Sequence, residues 1–176
     1  VAYYKLGIAY ANQGKYDLAI ASYQNAIEID PKDAAAYYSL GIAYGKQGKY
    51  DLAIASFKNA IDNSIQEIEE IIQVNLLGSI YSIKIVLPEM LERKSGTIIN
   101  ILSVVTQKIF TASSAYSASK SGLHAYTKVL REEVRDKNIR VINVSPGATA
   151  TSIWQEGVLQ KYSERMMSAE AIAELI

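Results

Sequence analysis

Apolar positions recur at three-and-four spacing from the start of the chain, and the pattern then repeats itself. AYYKLGIAYANQGKYDLAIASYQNAI, Ala2 to Ile27, returns as AYYSLGIAYGKQGKYDLAIASFKNAI, Ala36 to Ile61, at an offset of 34 residues. Each copy reads as two amphipathic helices joined by a turn at Gly14-Lys15 or Gly48-Lys49, with Asp30-Pro31 closing the first copy. The spacing sets Tyr3, Leu6, Gly7 and Tyr10 on one face of the first helix and Ala19, Tyr23 and Ala26 on one face of the second. Tyr37, Leu40, Gly41, Tyr44, Ala53, Phe57 and Ala60 repeat that arrangement. Small Gly7 and Ala19 would let the helices approach, with the aromatic rings filling the remaining groove.

From Ser64 the pattern changes. Ser64 and Glu67 have the spacing of a capping box, predicting a new helix that runs through Ile72 and Val74 to about Leu91, with a kink near Pro88. Gly96 to Ser103 is a short β-branched run of the kind that forms a buried parallel strand. Ser114 to about Asp136 has helical periodicity, and Ile139 to Val144 reads as a second buried strand ending at Ser145-Pro146-Gly147. Strand, helix, strand implies a right-handed crossover and an α/β layer.

The 34-residue period is that of tetratricopeptide repeats, which the first segment resembles. That resemblance stops at Ile65, which replaces the helix-closing proline. It implies a concave face for a protein or peptide partner, with Asn12, Asn25, Lys5 and Lys46 as candidate polar contacts; the tyrosine stripe reads as packing between helices. Stacked repeats normally need three or more units to be stable alone. Gly41, Gly45 and Gly48 mimic a nucleotide-binding loop, but they follow no strand and the repeat already explains Gly41 and Gly48.

Four elements of the second segment, in order and spacing, resemble the later half of short-chain dehydrogenases/reductases: VNLLG around Asn75, NILS ending at Ser103, YSASK from Tyr116 to Lys120, and VSPGATAT from Val144 to Thr151. The fold expected is therefore mixed: an all-α helical repeat over 1–63, followed by an incomplete α/β Rossmann-like part over 64–176. The chemistry can be checked from the residues. A carbonyl that receives hydride must also be protonated, and a lone phenol is a weak base for the reverse step at neutral pH. Tyr116 and Lys120, four apart on one helix, share a face. An ammonium about 4 Å from a phenolate contributes roughly 4 kcal/mol at an effective dielectric of 20, enough to make it serviceable.

The resemblance implies NAD or NADP as cofactor. By position it makes Tyr116 the proton donor, Lys120 the nicotinamide ribose ligand, Ser103 the residue that orients the substrate carbonyl, and Asn75 the anchor of a proton-relay water. Pro146, Gly147 and Thr151 would lie beside the nicotinamide carboxamide. Asn75 also reads as an ordinary polar helix residue, and His124 as a packing or surface residue. Trp154 and Tyr162 either line a substrate pocket or close a core. The resemblance further implies a homodimer through the helices carrying Asn75 and Tyr116, burying Ile83, Leu87, Leu123 and Leu130.

Composition removes other classes. Lys plus Arg equal Asp plus Glu at 18 each, so no net field favours nucleic acid or an acidic membrane. There is no cysteine and one histidine, which argues against a disulfide, a thiolate nucleophile or a metal centre. The apolar run around Ile80 to Leu87 is shorter than the roughly 20 residues a bilayer requires. With no recognisable signal peptide, the expectation is a soluble, cytoplasmic protein.

The sequence also departs from the reductase pattern. It has no Thr-Gly-x3-Gly-x-Gly turn after a strand, no Asn-x-Ala-Gly stretch and no residue placed to choose between the two cofactors. It starts without Met and stops inside a probable helix, Ala169 to Ile176, as a fragment would. Two strands with unpaired edges are expected to self-associate. Two readings follow: an oxidoreductase carrying an interaction module, crippled or inactive as an isolated chain, or an interaction scaffold with a vestigial reductase segment.

Overall fold

The computed structural model describes residues 1–151, 164 and 166–174. Trp154 and Tyr162 lie outside the described residues, as do the last two positions of the helix expected at Ala169 to Ile176. The chain groups into two compact units, Val1–Glu69 and Glu70–Ile176, taken here in turn.

The first unit is helical throughout. Helix α1 spans Ala2–Asn12, α2 Tyr16–Ile29, α3 Ala34–Lys46 and α4 Tyr50–Ile72. Gly14 and Gly48 occupy the turns with φ of 72° and 73°, a left-handed geometry that glycine adopts without a Cβ clash. A Cβ on Gly7 would lie 2.5 Å from the Tyr23 ring, and one on Gly41 would lie 2.7 Å from the Phe57 ring. Each helix pair therefore closes by laying an aromatic ring over a glycine.

The phase of that contact differs from expectation. Tyr3 and Leu6 are exposed, and Tyr4 instead meets Tyr23 with ring centroids 5.9 Å apart. Its counterpart in the second copy, Tyr38, meets Phe57 at 5.5 Å. The inward stripe of α1 is Tyr4, Gly7, Tyr10 and Ala11, so Tyr4 takes the place of Tyr3 while Gly7 and Tyr10 face the core; in the second copy Tyr37, Leu40, Gly41 and Tyr44 are buried or partly buried and Tyr38 is 57% exposed. Ala19, Ile20, Tyr23, Leu40 and Ala43 form the core.

A second correction concerns Ser64. It lies inside α4, and the helical backbone continues through a π-helical stretch at Gln73–Gly78 into α5 at Ser79–Glu92. Glycine and proline are absent from 54–72, so the amides a capping box would serve are already committed to intrahelical bonds. Asp33, by contrast, does cap α3, its Oδ1 accepting from the Ala36 amide at 2.9 Å. Asp33→Ala is thus expected to cost about 1 kcal/mol and Ser64→Ala to stay within about 0.5 kcal/mol. Urea unfolding of the two variants checks the pair.

The second unit is an α/β layer. Strands β1, Gly96–Ile101, and β2, Ile139–Val144, pair in parallel from Gly96 opposite Ile139 to Ile101 opposite Val144. Helix α6, Ser114–Glu133, connects them with α5 on the same side. Alternation along the strands sends Ile98, Ile139 and Val141 into a core with Ile83, Leu130 and Val134, while Ile99, Ile101 and Ile142 remain exposed on the other face. Asn138, at φ 60°, donates from Nδ2 to the Lys94 carbonyl at 2.9 Å and joins the starts of the two strands. Arg131 Nε donates to the Val141 carbonyl at 2.8 Å. A short parallel bridge pairs β3, Thr149–Ala150, with β4, Met167–Ser168, and leads into α7 at Ala169–Ala173.

Two expectations change here. Ile83, Leu123 and Leu130 are 4%, 2% and 3% exposed, with Leu87 partly buried against the same core. They pack internally and are not available to a dimer interface. Tyr50–Glu92 is also long and apolar enough, by length and composition, to cross a membrane, which the run Ile80 to Leu87 taken alone understates. Ile83, Leu87 and Met90 pack against the sheet, although only 6% of the most apolar window of that stretch is buried.

Candidate functional site

The two parallel strands end on the same side of their sheet, and there the chain turns sharply twice. After β1, Leu102 N donates to the Val144 carbonyl at 2.7 Å and prolongs the ladder by one rung. Ser103 then opens a single 3-10 turn, Val104–Thr106, its hydroxyl oxygen accepting from the Val105 amide at 3.3 Å. The hydroxyl proton is thereby left to point elsewhere. Val104 N donates to the Pro146 carbonyl at 2.9 Å, joining this turn to the one that follows β2.

Ser103, Tyr116, Gly147 and Thr151 line one cavity of about 520 Å3. It lies beyond the carboxyl ends of β1 and β2, where open α/β sheets place their ligands. A Cβ on Gly147 would meet nothing within 4 Å, so the backbone there is open to approach. Pro146 is not part of the lining and acts through its carbonyl on the Ser103 turn.

Lys120 lies over the Tyr116 ring, with Nζ 5.9 Å from the ring centroid, and donates to the Ile101 carbonyl at 3.0 Å. Burial holds its pKa below the usual lysine value, because desolvation penalises the ammonium.

Asn75 is set further back, in the π-helical stretch. Its Nδ2 donates to Ser119 Oγ at 3.4 Å, and Ser119 Oγ donates to the Tyr116 carbonyl at 2.7 Å. A Cβ on Gly122 would come within 3.1 Å of Leu76, so the small residue lets α6 approach the π turn closely. Widened helical turns of this kind are frequent at functional sites. His124 is partly buried on α6 and lines no part of the cavity.

Sequence reasoning missed Ser119 and Phe110. Ser119 is fully buried inside the YSASK stretch, and its signal is a hydroxyl four residues before the apolar Leu123 on the inner face of α6. Phe110 forms part of the cavity wall. Its signal is an Ile-Phe pair between otherwise polar loop residues. No group of His, Cys, Asp and Glu that could hold a metal occurs among the described residues.

With the geometry in place, comparison with known proteins identifies the family. The short chain dehydrogenase family model matches residues 52–161, more than half of the 176 residues, and the chain belongs to that family. Tetratricopeptide repeat models match residues 9–48 and 34–63, so the chain carries two such repeats as well. An uncharacterized oxidoreductase of Staphylococcus aureus is 37% identical over 92 residues, covering 52% of this chain and 40% of the relative. The chain thus spans about two fifths of the length of the curated relatives it matches.

Among solved structures, acetoin dehydrogenase from Enterobacter cloacae is similar at 32% identity and a TM-score of 0.55, covering 62% of this chain and 46% of the other. A short-chain dehydrogenase from Streptomyces avermitilis is similar at 28% identity and a TM-score of 0.53, covering 62% and 47%.

Proposed function

We propose that the chain is the catalytic part of an NAD(P)-dependent oxidoreductase that interconverts a carbonyl compound and an alcohol. The observation that carries this reading is the single cavity beyond the strand ends bearing Ser103, Tyr116, Gly147 and Thr151. Tyr116 would give its phenolic proton to the carbonyl oxygen, and Ser103, whose oxygen is already bonded to the Val105 amide, would donate its own proton to the same atom. Lys120 would hold the cofactor ribose and place positive charge against the Tyr116 ring. Asn75 would support the site through Ser119.

A bound nicotinamide would supply or accept the hydride. The open backbone at Gly147 and the neighbouring Thr151 suit the nicotinamide end of such a cofactor. The sequence carries no glycine-rich turn for its pyrophosphate, which elsewhere rests on such a turn and a helix N-terminus. A thermal unfolding scan with NADH and with NADPH tests the reading. Binding to the folded state at about 100 times Kd adds roughly 2.7 kcal/mol of stability and raises the midpoint. An unchanged midpoint at millimolar concentrations of both nucleotides would count against it.

A second reading, an interaction scaffold whose reductase segment is vestigial, draws on the first unit. Tetratricopeptide repeats generally mediate contact between proteins, and α1 and α3 enclose a groove of about 180 Å3 that includes Asn12, Ile8, Ser39 and Ile42. Asn25, Lys5 and Lys46 are exposed outside that lining. A peptide ligand would use the groove at Asn12. Self-association through the helices bearing Asn75 and Tyr116 would draw on exposed Tyr81, Ile85 and Val129. In both readings the protein would work in the cytoplasm.

A further inference from the structure

Identical residues 34 positions apart in the two repeats would be equally exposed if their surroundings were equal, and they are not. Leu40 is 6% exposed and its counterpart Leu6 42%, while Ile20 is 8% exposed and its counterpart Ile54 54%. Tyr37, Tyr16 and Ile27 are partly buried, whereas Tyr3, Tyr50 and Ile61 are exposed. Ala43 is buried and Ala9 exposed. In every pair the covered residue lies on α2 or α3, which pack against each other, and the open one lies on α1 or α4.

The contact between α2 and α3 is therefore a template for what the open faces can receive. Ile20, Tyr23, Leu40 and Ala43 form its buried centre. Around that centre Gln47 Nε2 donates to Asp17 Oδ1 at 2.8 Å, Gln24 Nε2 to Tyr44 Oη at 3.1 Å and Ser39 Oγ to Tyr4 Oη at 3.4 Å. Moved along by one period, α4 stands in for α2, and α1 of another molecule stands in for α3. The apolar centre then consists of Ile54, Phe57, Leu6 and Ala9, altered only by Phe57 in place of Tyr23. Gln13 and Asp51 reproduce the pair made by Gln47 and Asp17. Lys58 replaces Gln24 opposite Tyr10, and Lys5 replaces Ser39 opposite Tyr38. An ammonium can donate to a phenol oxygen in both places. Stacked repeats need a polar outer face where an array stops, and these two faces instead carry Tyr3 and Leu6 on one side and Tyr50, Ile54 and Ile61 on the other.

We propose that a second copy of this chain docks its α1 face on the α4 face of the first, repeating between molecules the contact that α2 and α3 make within one. The two faces differ, so the contact is head-to-tail and each added copy presents a fresh α4. Growth has no fixed end, and mean size follows concentration. The proposal concerns the first unit and stands whichever way the nucleotide scan reads.

Sedimentation velocity of the full chain, from micromolar to millimolar concentration, tests it. The wild type is expected to pass beyond two chains as concentration rises. Leu6→Glu spoils the α1 face and Ile54→Glu the α4 face, so each variant alone should remain a single chain. Mixed in equal amounts they should form a one-to-one pair and stop, because the intact α4 face of the first accepts the intact α1 face of the second. Both positions are exposed, so the variants should fold, as circular dichroism would verify. Leu6→Ala and Ile54→Ala repeat the test with a smaller change and should weaken association about tenfold or more. A wild type that stays a single chain, or stops at two, overturns the proposal, and so does a mixture that fails to pair. Association that persists in both glutamate variants overturns it as well, and assigns self-association to the strand edges or to Tyr81, Ile85 and Val129.

Discussion

Tyr116→Phe is expected to lower ketone reduction by about two to four orders of magnitude, the usual contribution of a positioned proton donor, while leaving the unfolding midpoint where it was. The substitution removes one oxygen and retains the ring, so Lys120 keeps its contact 5.9 Å from the centroid. Ser119 bonds to the main-chain carbonyl of residue 116 and is likewise undisturbed. A structural role for the tyrosine would move stability with activity; a proton-donating role moves activity alone. Following the absorbance of the reduced nicotinamide with both chains at saturating ketone decides between them. Equal turnover would remove Tyr116 from the chemistry.

The second large effect is expected from Leu123→Ala. Leu123 is among the largest fully buried side chains, 2% exposed, on the inner face of α6. Truncating such a leucine removes apolar area and leaves a void that its neighbours only partly fill, at a cost of about 2–5 kcal/mol. Domains are stable by about 5–15 kcal/mol, so the second unit should lose much of its stability, read as a lower urea midpoint. Ile85→Ala supplies the contrast: Ile85 is 78% exposed, and its loss should register within about 0.5 kcal/mol. Comparable losses in the two variants would contradict the internal packing described for α5 and α6.

Much of the fold was legible because its signals are local. The β-branched run at Ile139 to Val144 gives β2 at both ends, and the glycines at positions 14 and 48 mark turns that need a left-handed residue. β1 ends two residues before its expected limit because Ser103 caps a 3-10 turn with its own hydroxyl. α6 gives way after Glu133 to a 3-10 turn at Arg135–Lys137. What the pattern could not decide depends on a partner. The inward phase of α1 is set by the Tyr23 ring over Gly7. The π turn at Gln73–Gly78 occurs where Leu76 meets Gly122 and Asn75 meets Ser119, contacts made across many intervening residues. Ser64 shows the converse: a capping signature has no effect where the helix before it does not stop.

The site was legible in a different way. Spacing on one helix relates Tyr116 to Lys120, but nothing in the pattern places Ser103, Gly147 and Thr151 around the same cavity; that came from the family resemblance. Phe110, part of the cavity wall, lies between the motifs that carry the resemblance and so went unmarked.

The bond from Lys120 to the Ile101 carbonyl has a counterpart across the sheet, where Arg131 takes the carbonyl of Val141. Each cation occupies an acceptor that an added strand would otherwise claim. Edge-to-edge growth into fibrils therefore meets a cationic side chain at the end of β1 and another along β2. A residue proposed for catalysis and a plain surface arginine act alike as guards against strand addition, so neutralising either one would expose the chain to aggregation as well as to any loss of activity.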